Sequence, residues 1–198
     1  MRHRLILIVG LCSALITIAC TANSSLFDKD AIQDHRNKSS LSVDMSDELF
    51  LQNFPTTFQS FTNLFQYDPE GKSGVHYLEA NGLIDRFYSI RPISQTIPKM
   101  LSIAQNGSYA EDAVAYFQDG ARKMLLSTNV TQFCAIAQGY SSKQLEEFFW
   151  FLIDRRNPFI LPLDNMKNHC NSKIMQLANE TMMRYKKVHP KKRWTSGL

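Results

Sequence analysis

Leu145-Glu-Glu-Phe-Phe-Trp-Phe-Leu-Ile-Asp154 is the stretch on which the fold turns. Its apolar residues Leu145, Phe148, Phe149, Leu152 and Ile153 recur at i, i+3, i+4, i+7 and i+8, the spacing of one helix face. Trp150 and Phe151 fall outside that stripe, so after its first turn the helix is apolar nearly all round. A helix of that kind is either buried on several sides or offers a second face to a partner. Phe54, Phe58, Phe61, Phe65, Phe117 and Phe133 lie in other segments and need a shared core. They favour a buried central helix, with a partner surface at Trp150 and Phe151 as the alternative.

Working outward, the remaining segments also read as helices. Ser46-Asp-Glu-Leu49 has the form of a helix start that Pro55 stops. Thr56 or Thr57 opens a second helix with Phe58, Phe61, Leu64 and Phe65 on one face, ended by the turn signal Asp68-Pro-Glu-Gly71. Val75 to Ile90 and Ser94 to Asn106 follow, separated at Arg91-Pro92. Ser108-Tyr-Ala-Glu111 reads as a capping box for a helix running to Leu125, in which Gly120 is tolerable where another backbone packs closely. Val130 to Gln138, the central helix opened by Ser141 or Ser142, and Asp164 to Val188 complete the series. No alternating strand pattern, repeat or heptad array is present. The expected fold is all-α, a single compact domain of about seven to eight helices over residues 46–188, with Leu145-Asp154 as its central helix.

The ends of the chain read differently. Arg2, His3 and Arg4 precede an apolar run from Leu5 to Ile18, the pattern of an export signal over residues 1–19 and too short to span a bilayer, which takes about 20 residues. Residues 20–45 are polar and read as a flexible tether, and 189–198 as a basic tail. The whole chain has 22 Lys and Arg against 18 Asp and Glu. Removing Arg2 and Arg4 leaves 20 against 18, too small an excess to recruit nucleic acid. The cluster Arg184, Lys186, Lys187, Lys191, Lys192 and Arg193 suits the negative pole of a helix end, and lipid phosphate is the functional alternative.

Residue pairs that carry chemistry elsewhere are sparse. Glu111-Asp112 and Glu146-Glu147 are adjacent carboxylates, but neighbours on a helix diverge by about 100 degrees, and negative charge at a helix start explains both. His76, His169, His189, Cys134 and Cys170 lack metal-ligand spacing, so no metal or cofactor is expected. Cys134 and Cys170 are either a disulfide closing a loop of about 35 residues or two separate core thiols. No nucleophile elbow or phosphate-binding glycine loop occurs.

Thr17-Ile18-Ala19-Cys20 resembles a bacterial lipobox. Ala19 and Cys20 match, whereas Thr17 departs from the usual leucine. Three further stretches, Asn53 to Phe61 running on to Tyr67-Asp68, Gly107 to Phe117, and Phe148 to Asp154, resemble those of exported bacterial helical lipoproteins of uncharacterised activity. The resemblance implies an envelope address and carries no functional residue over. Together these readings imply an exported protein, lipid-anchored to the membrane through Cys20, that binds a protein partner. A periplasmic immunity-type inhibitor occupying a toxin's active site is one concrete form. The alternatives are an envelope hydrolase using Glu111, Asp112, Glu146, Glu147 or His76, and a secreted glycoprotein. The sequons at Asn23, Asn37, Asn106, Asn129 and Asn179 favour the last.

Overall fold

Short polar side chains cap the starts of several of the helices. In the computed structural model, which describes residues 41–65, 77–110 and 112–195, the helices are α1 (Asp47–Asn53), α2 (Phe58–Phe65), α3 (Tyr77–Ser89), α4 (Thr96–Ile103), α5 (Ala113–Leu126), α6 (Val130–Ala137), α7 (Ser142–Ile153), α8 (Leu163–Met166) and α9 (Ser172–Val188). A 3₁₀ turn, Ile93–Gln95, precedes α4. Ser46 Oγ accepts the Leu49 N–H at the start of α1, and Thr57 Oγ1 accepts that of Ser60 at the start of α2. The described residues form no strand, and Phe159 and Thr195 make an isolated parallel bridge. The architecture is therefore all-α. The export signal, Cys20, the tether to residue 40, the turn at 68–71, His76 and Glu111 lie outside the described residues.

Two helix boundaries correct the sequence reading. The capping box expected at 108–111 does not open α5, which starts at Ala113 after Asp112, whose φ is 59° and whose side chain makes no cap bond. Residues 107–110 have no regular structure, and the Tyr109 N–H donates to Asp154 Oδ2 at 3.0 Å instead. The final helix is two helices. Met166, Cys170 and Ile174 keep a four-residue period, but the chain leaves helix after Met166 and restarts where Asn171 Oδ1 accepts the Ile174 N–H at 3.0 Å. An asparagine that caps competes with one that continues the helix, and here the cap prevails.

The core consists of two aromatic clusters bridged by α7. In the first, Phe54 stacks on Phe87 at 4.3 Å, and Phe117 lies 4.8 Å from Phe61 and 5.7 Å from Phe87. Phe151 of α7 joins it through Phe58 at 6.0 Å and Phe117 at 6.4 Å. In the second, Phe133 meets Phe148 at 5.3 Å and Phe149 at 6.4 Å. A third side of α7 packs on α9, where Trp150 meets the Tyr185 ring edge-to-face at 4.9 Å. A helix apolar all round is thus covered from three directions. Each buried Phe contributes roughly 1.5–3 kcal/mol through surface removed from water.

Polar side chains close the gaps between these helices. Buried Gln118 of α5 donates through Nε2 to the carbonyls of Phe151 at 2.6 Å and Asp154 at 3.1 Å, serving acceptors that the end of α7 leaves without helical partners. Gly120 of α5 lies flat against the Tyr88 ring, which a Cβ there would overlap; the close neighbour is a side chain, not the backbone expected from sequence. The packed region also extends beyond 46–188. Leu41 is buried, and Arg86 donates to the carbonyls of Ser42, Val43 and Met45, so 41–45 lies against the helices. At the other end Lys192 donates to the Arg155 carbonyl at 2.8 Å and Trp194 abuts Tyr185 at 5.9 Å, so the first part of the basic tail is packed as well.

Candidate functional site

The capping box at the head of α7 sets the register of a groove on its outer side. Ser141 Oγ accepts the Gln144 N–H while Gln144 Oε1 accepts that of Ser141. Counting from this start, Lys143, Glu146, Glu147 and Trp150 fall at i, i+3, i+4 and i+7 and share one side. They line a cavity of about 540 Å³ with Asn106 and Gly107 from the turn after α4 and Arg184 from α9. Glu146 and Glu147 therefore line one cavity together with residues of other elements. They occupy the second turn, where the helix dipole has faded, and their charges are met by side chains.

Glu146 is ion-paired with Arg184 across the groove, and Lys143 lies 3.7 Å from Glu147 on the same helix. The Arg184 guanidinium also sits 5.3 Å from the Trp150 ring centroid, so the half-buried indole carries a cation on its face. Arg184 is half exposed and Glu146 one-third exposed, which places the pair among those that stabilise a fold by about 0–1 kcal/mol. Its stronger effect is to hold two charged groups around an accessible aromatic. Gly107 completes the wall: a Cβ there would stand 2.7 Å from the Phe151 ring, so only glycine lets this turn lie so close to α7.

Behind Trp150 the scaffold is fixed. Tyr185 is fully buried, its hydroxyl donates to Asp154 Oδ1 at 2.8 Å and accepts from Lys192 Nζ at 2.6 Å, and the His189 ring lies tilted against its own at 4.4 Å. Burial first, then the Asp154 carboxylate, pushes the Tyr185 phenol well above its ordinary pKa, so it stays a neutral donor. Phe151, for which a partner surface shared with Trp150 is the alternative sequence reading, is 1% exposed and belongs to the core; the groove exposes Trp150 without it.

The other sequence candidates are placed apart from this groove. Cys134 and Cys170 form a disulfide, with Cα atoms 4.8 Å apart, so Cys134 supplies neither a nucleophile nor a metal ligand. His169 Nδ1 lies 2.9 Å from Thr131 Oγ1. Asp112 is an exposed helix-entry residue. Among the described residues no three His, Cys, Asp or Glu side chains are grouped to hold a metal ion, and no helix is long and apolar enough to cross a membrane. Asn106 and Asn179 are exposed, Asn106 at the groove itself, whereas Asn129 is half-buried before α6. The sequence reading sets Arg184 in a basic helix end rather than opposite Glu146, 38 positions before it, and takes Asn106-Gly107 as a helix stop and Asn106 as a sequon rather than as a groove wall. No family model matches the chain, and no curated protein or solved structure matches it either.

Proposed function

We propose that this chain is an exported, lipid-anchored binding protein whose groove along α7 takes a segment of a protein partner. The observation that carries the reading is Trp150, accessible on a rigid helix, backed by buried Tyr185 and flanked by the Glu146–Arg184 pair. Tryptophan and arginine are the residue types that dominate interface energetics when the ground beneath them is preorganised. The lipobox-like Thr17-Ile18-Ala19-Cys20 supports an envelope address with the membrane reached through Cys20. A periplasmic inhibitor that occupies a toxin's active site fits a groove with charges of both signs around one aromatic anchor.

Trp150→Ala tests the reading. A melting temperature lowered, yet still well above the assay temperature, with capture of a specific envelope protein weakened at least tenfold is the expected result, equivalent to about 1.4 kcal/mol or more. Equal capture by variant and parent removes the groove from the interface. The second reading, an envelope hydrolase, is favoured by one observation, that Glu146 and Glu147 line the same cavity. Turnover of ester or glycoside substrates that is lost in Glu146→Gln would select it.

A further inference from the structure

The groove along α7 already contains one guanidinium, and the way it is held bears on what else can enter. Arg184 is ion-paired with Glu146 and lies over the face of Trp150, 5.3 Å from the ring centroid. Trp150 stands four positions after Glu146 and three after Glu147, so the two carboxylates flank the same indole from one turn away. Glu147 thus repeats, on the other flank, the carboxylate and indole arrangement that Arg184 occupies. What meets it there is different. Its ion pair is with Lys143, whose side chain is 84% exposed and whose ammonium stays 3.7 Å away, too far for a hydrogen bond. The Glu147 side chain is only 25% exposed, and it accepts no hydrogen bond from any described residue. A carboxylate has about four lone-pair sites, and leaving them unserved is most unfavourable where water is partly excluded.

We propose that the partner segment anchors itself with an arginine, whose guanidinium hydrogen-bonds Glu147 and lies against Trp150; this rests on the groove being the binding surface. A planar guanidinium presents two parallel N–H donors to a carboxylate while its face rests on an aromatic ring, and the compact ammonium of lysine does not combine the two. Lys143 is no obstacle, because an exposed pair of this kind is weak and its long side chain swings into solvent. Arg184 stays on Glu146, whose charge offsets the repulsion between the two guanidiniums. Gly107, in the wall formed by the turn after α4, adds no side chain to the space the arginine enters. An acidic segment fits less well, since it would draw Arg184 away from a Glu146 that is one-third exposed and leave that carboxylate unpaired.

Titration of the chain with a short acetylated and amidated peptide of glycine, arginine and glycine, at low ionic strength and followed through the indole N–H resonance of Trp150, tests this. Trp150→Phe identifies that resonance against the one from Trp194. A saturable shift is expected, with the lysine peptide several-fold weaker and the citrulline peptide, which keeps the shape without the charge, about tenfold weaker. Glu147→Gln should weaken the arginine peptide about tenfold at unchanged melting temperature, and Lys143→Ala should tighten it. A shift no greater than with citrulline, or equal affinity in Glu147→Gln, overturns the proposal. Capture of the envelope protein separates this inference from the reading beneath it. Weakened by Trp150→Ala and not by Glu147→Gln, it keeps the groove and removes the arginine; weakened by neither, it removes both.

Discussion

Tyr185 holds three neighbours in place at once: Asp154 by donation, Lys192 by acceptance and Trp150 by ring contact. Its folded pKa lies above the value of 10.0 that an unperturbed phenol has. The unfolded chain therefore loses this proton first, and the native state still holds it, so stability is insensitive to the group below about pH 10 and falls as pH rises beyond it. The slope owed to this one proton is at most about 1.4 kcal/mol per pH unit. Denaturant melts at stepped alkaline pH should show a steeper loss for the parent than for Tyr185→Phe. Groups common to both proteins cancel in that difference. A parallel course would place the phenol in water. Little of this is legible in the sequence, where no local pattern singles out Tyr185. Trp150 and Asp154 lie at the end of α7, far from Tyr185 in sequence, and only the packing of α9 on α7 brings them to it. By contrast, Ser141 with Gln144 is a local cap, decided within four residues, and the start of α7 was readable for that reason.

At the scale of elements, α5 and α3 meet through a tyrosine laid across a glycine. Tyr88 donates its hydroxyl to the Phe117 carbonyl at 2.8 Å while its ring covers Gly120. Gly120→Ala gains about 1 kcal/mol of helix propensity, yet it drives a methyl into the ring, and overpacking of that sort costs typically 1–3 kcal/mol. Net destabilisation by thermal melting is expected, relieved when Tyr88→Leu is added; a stabilised single variant would show that the ring moves aside freely. The apolar periods of α1–α7 were enough to place those helices to within a turn or so. They failed at α8 and α9 because Met166, Cys170 and Ile174 remain in phase across the break, and periodicity is blind to a loop whose length restores the register. The start of α5 was misplaced for another reason. Ser108 and Glu111 have the right spacing for a box, but the Tyr109 amide is claimed by Asp154 from 45 residues away.

Across the whole molecule, the disulfide ties α6 to the junction of α8 and α9, a sequence separation of 36. In the chain-entropy account, closing a loop of that length restricts the unfolded state enough to contribute about 3–4 kcal/mol. A Cys134→Ala/Cys170→Ala variant should unfold at correspondingly lower denaturant, with reductant lowering the parent but not the variant. Equal midpoints would mean the thiols are unlinked in solution. The all-α architecture was legible because Phe-rich amphipathic stripes and the lack of alternation leave few other ways to bury them. The groove along α7 was not, since it draws on residues from elements distant in sequence. Gln118 illustrates what such distance entails. The last carbonyls of α7 find a donor on α5, so α7 cannot finish its final turn by local interactions alone. Completing that helix and docking its neighbour are then one event, and the end of α7 reports on the assembly of the domain.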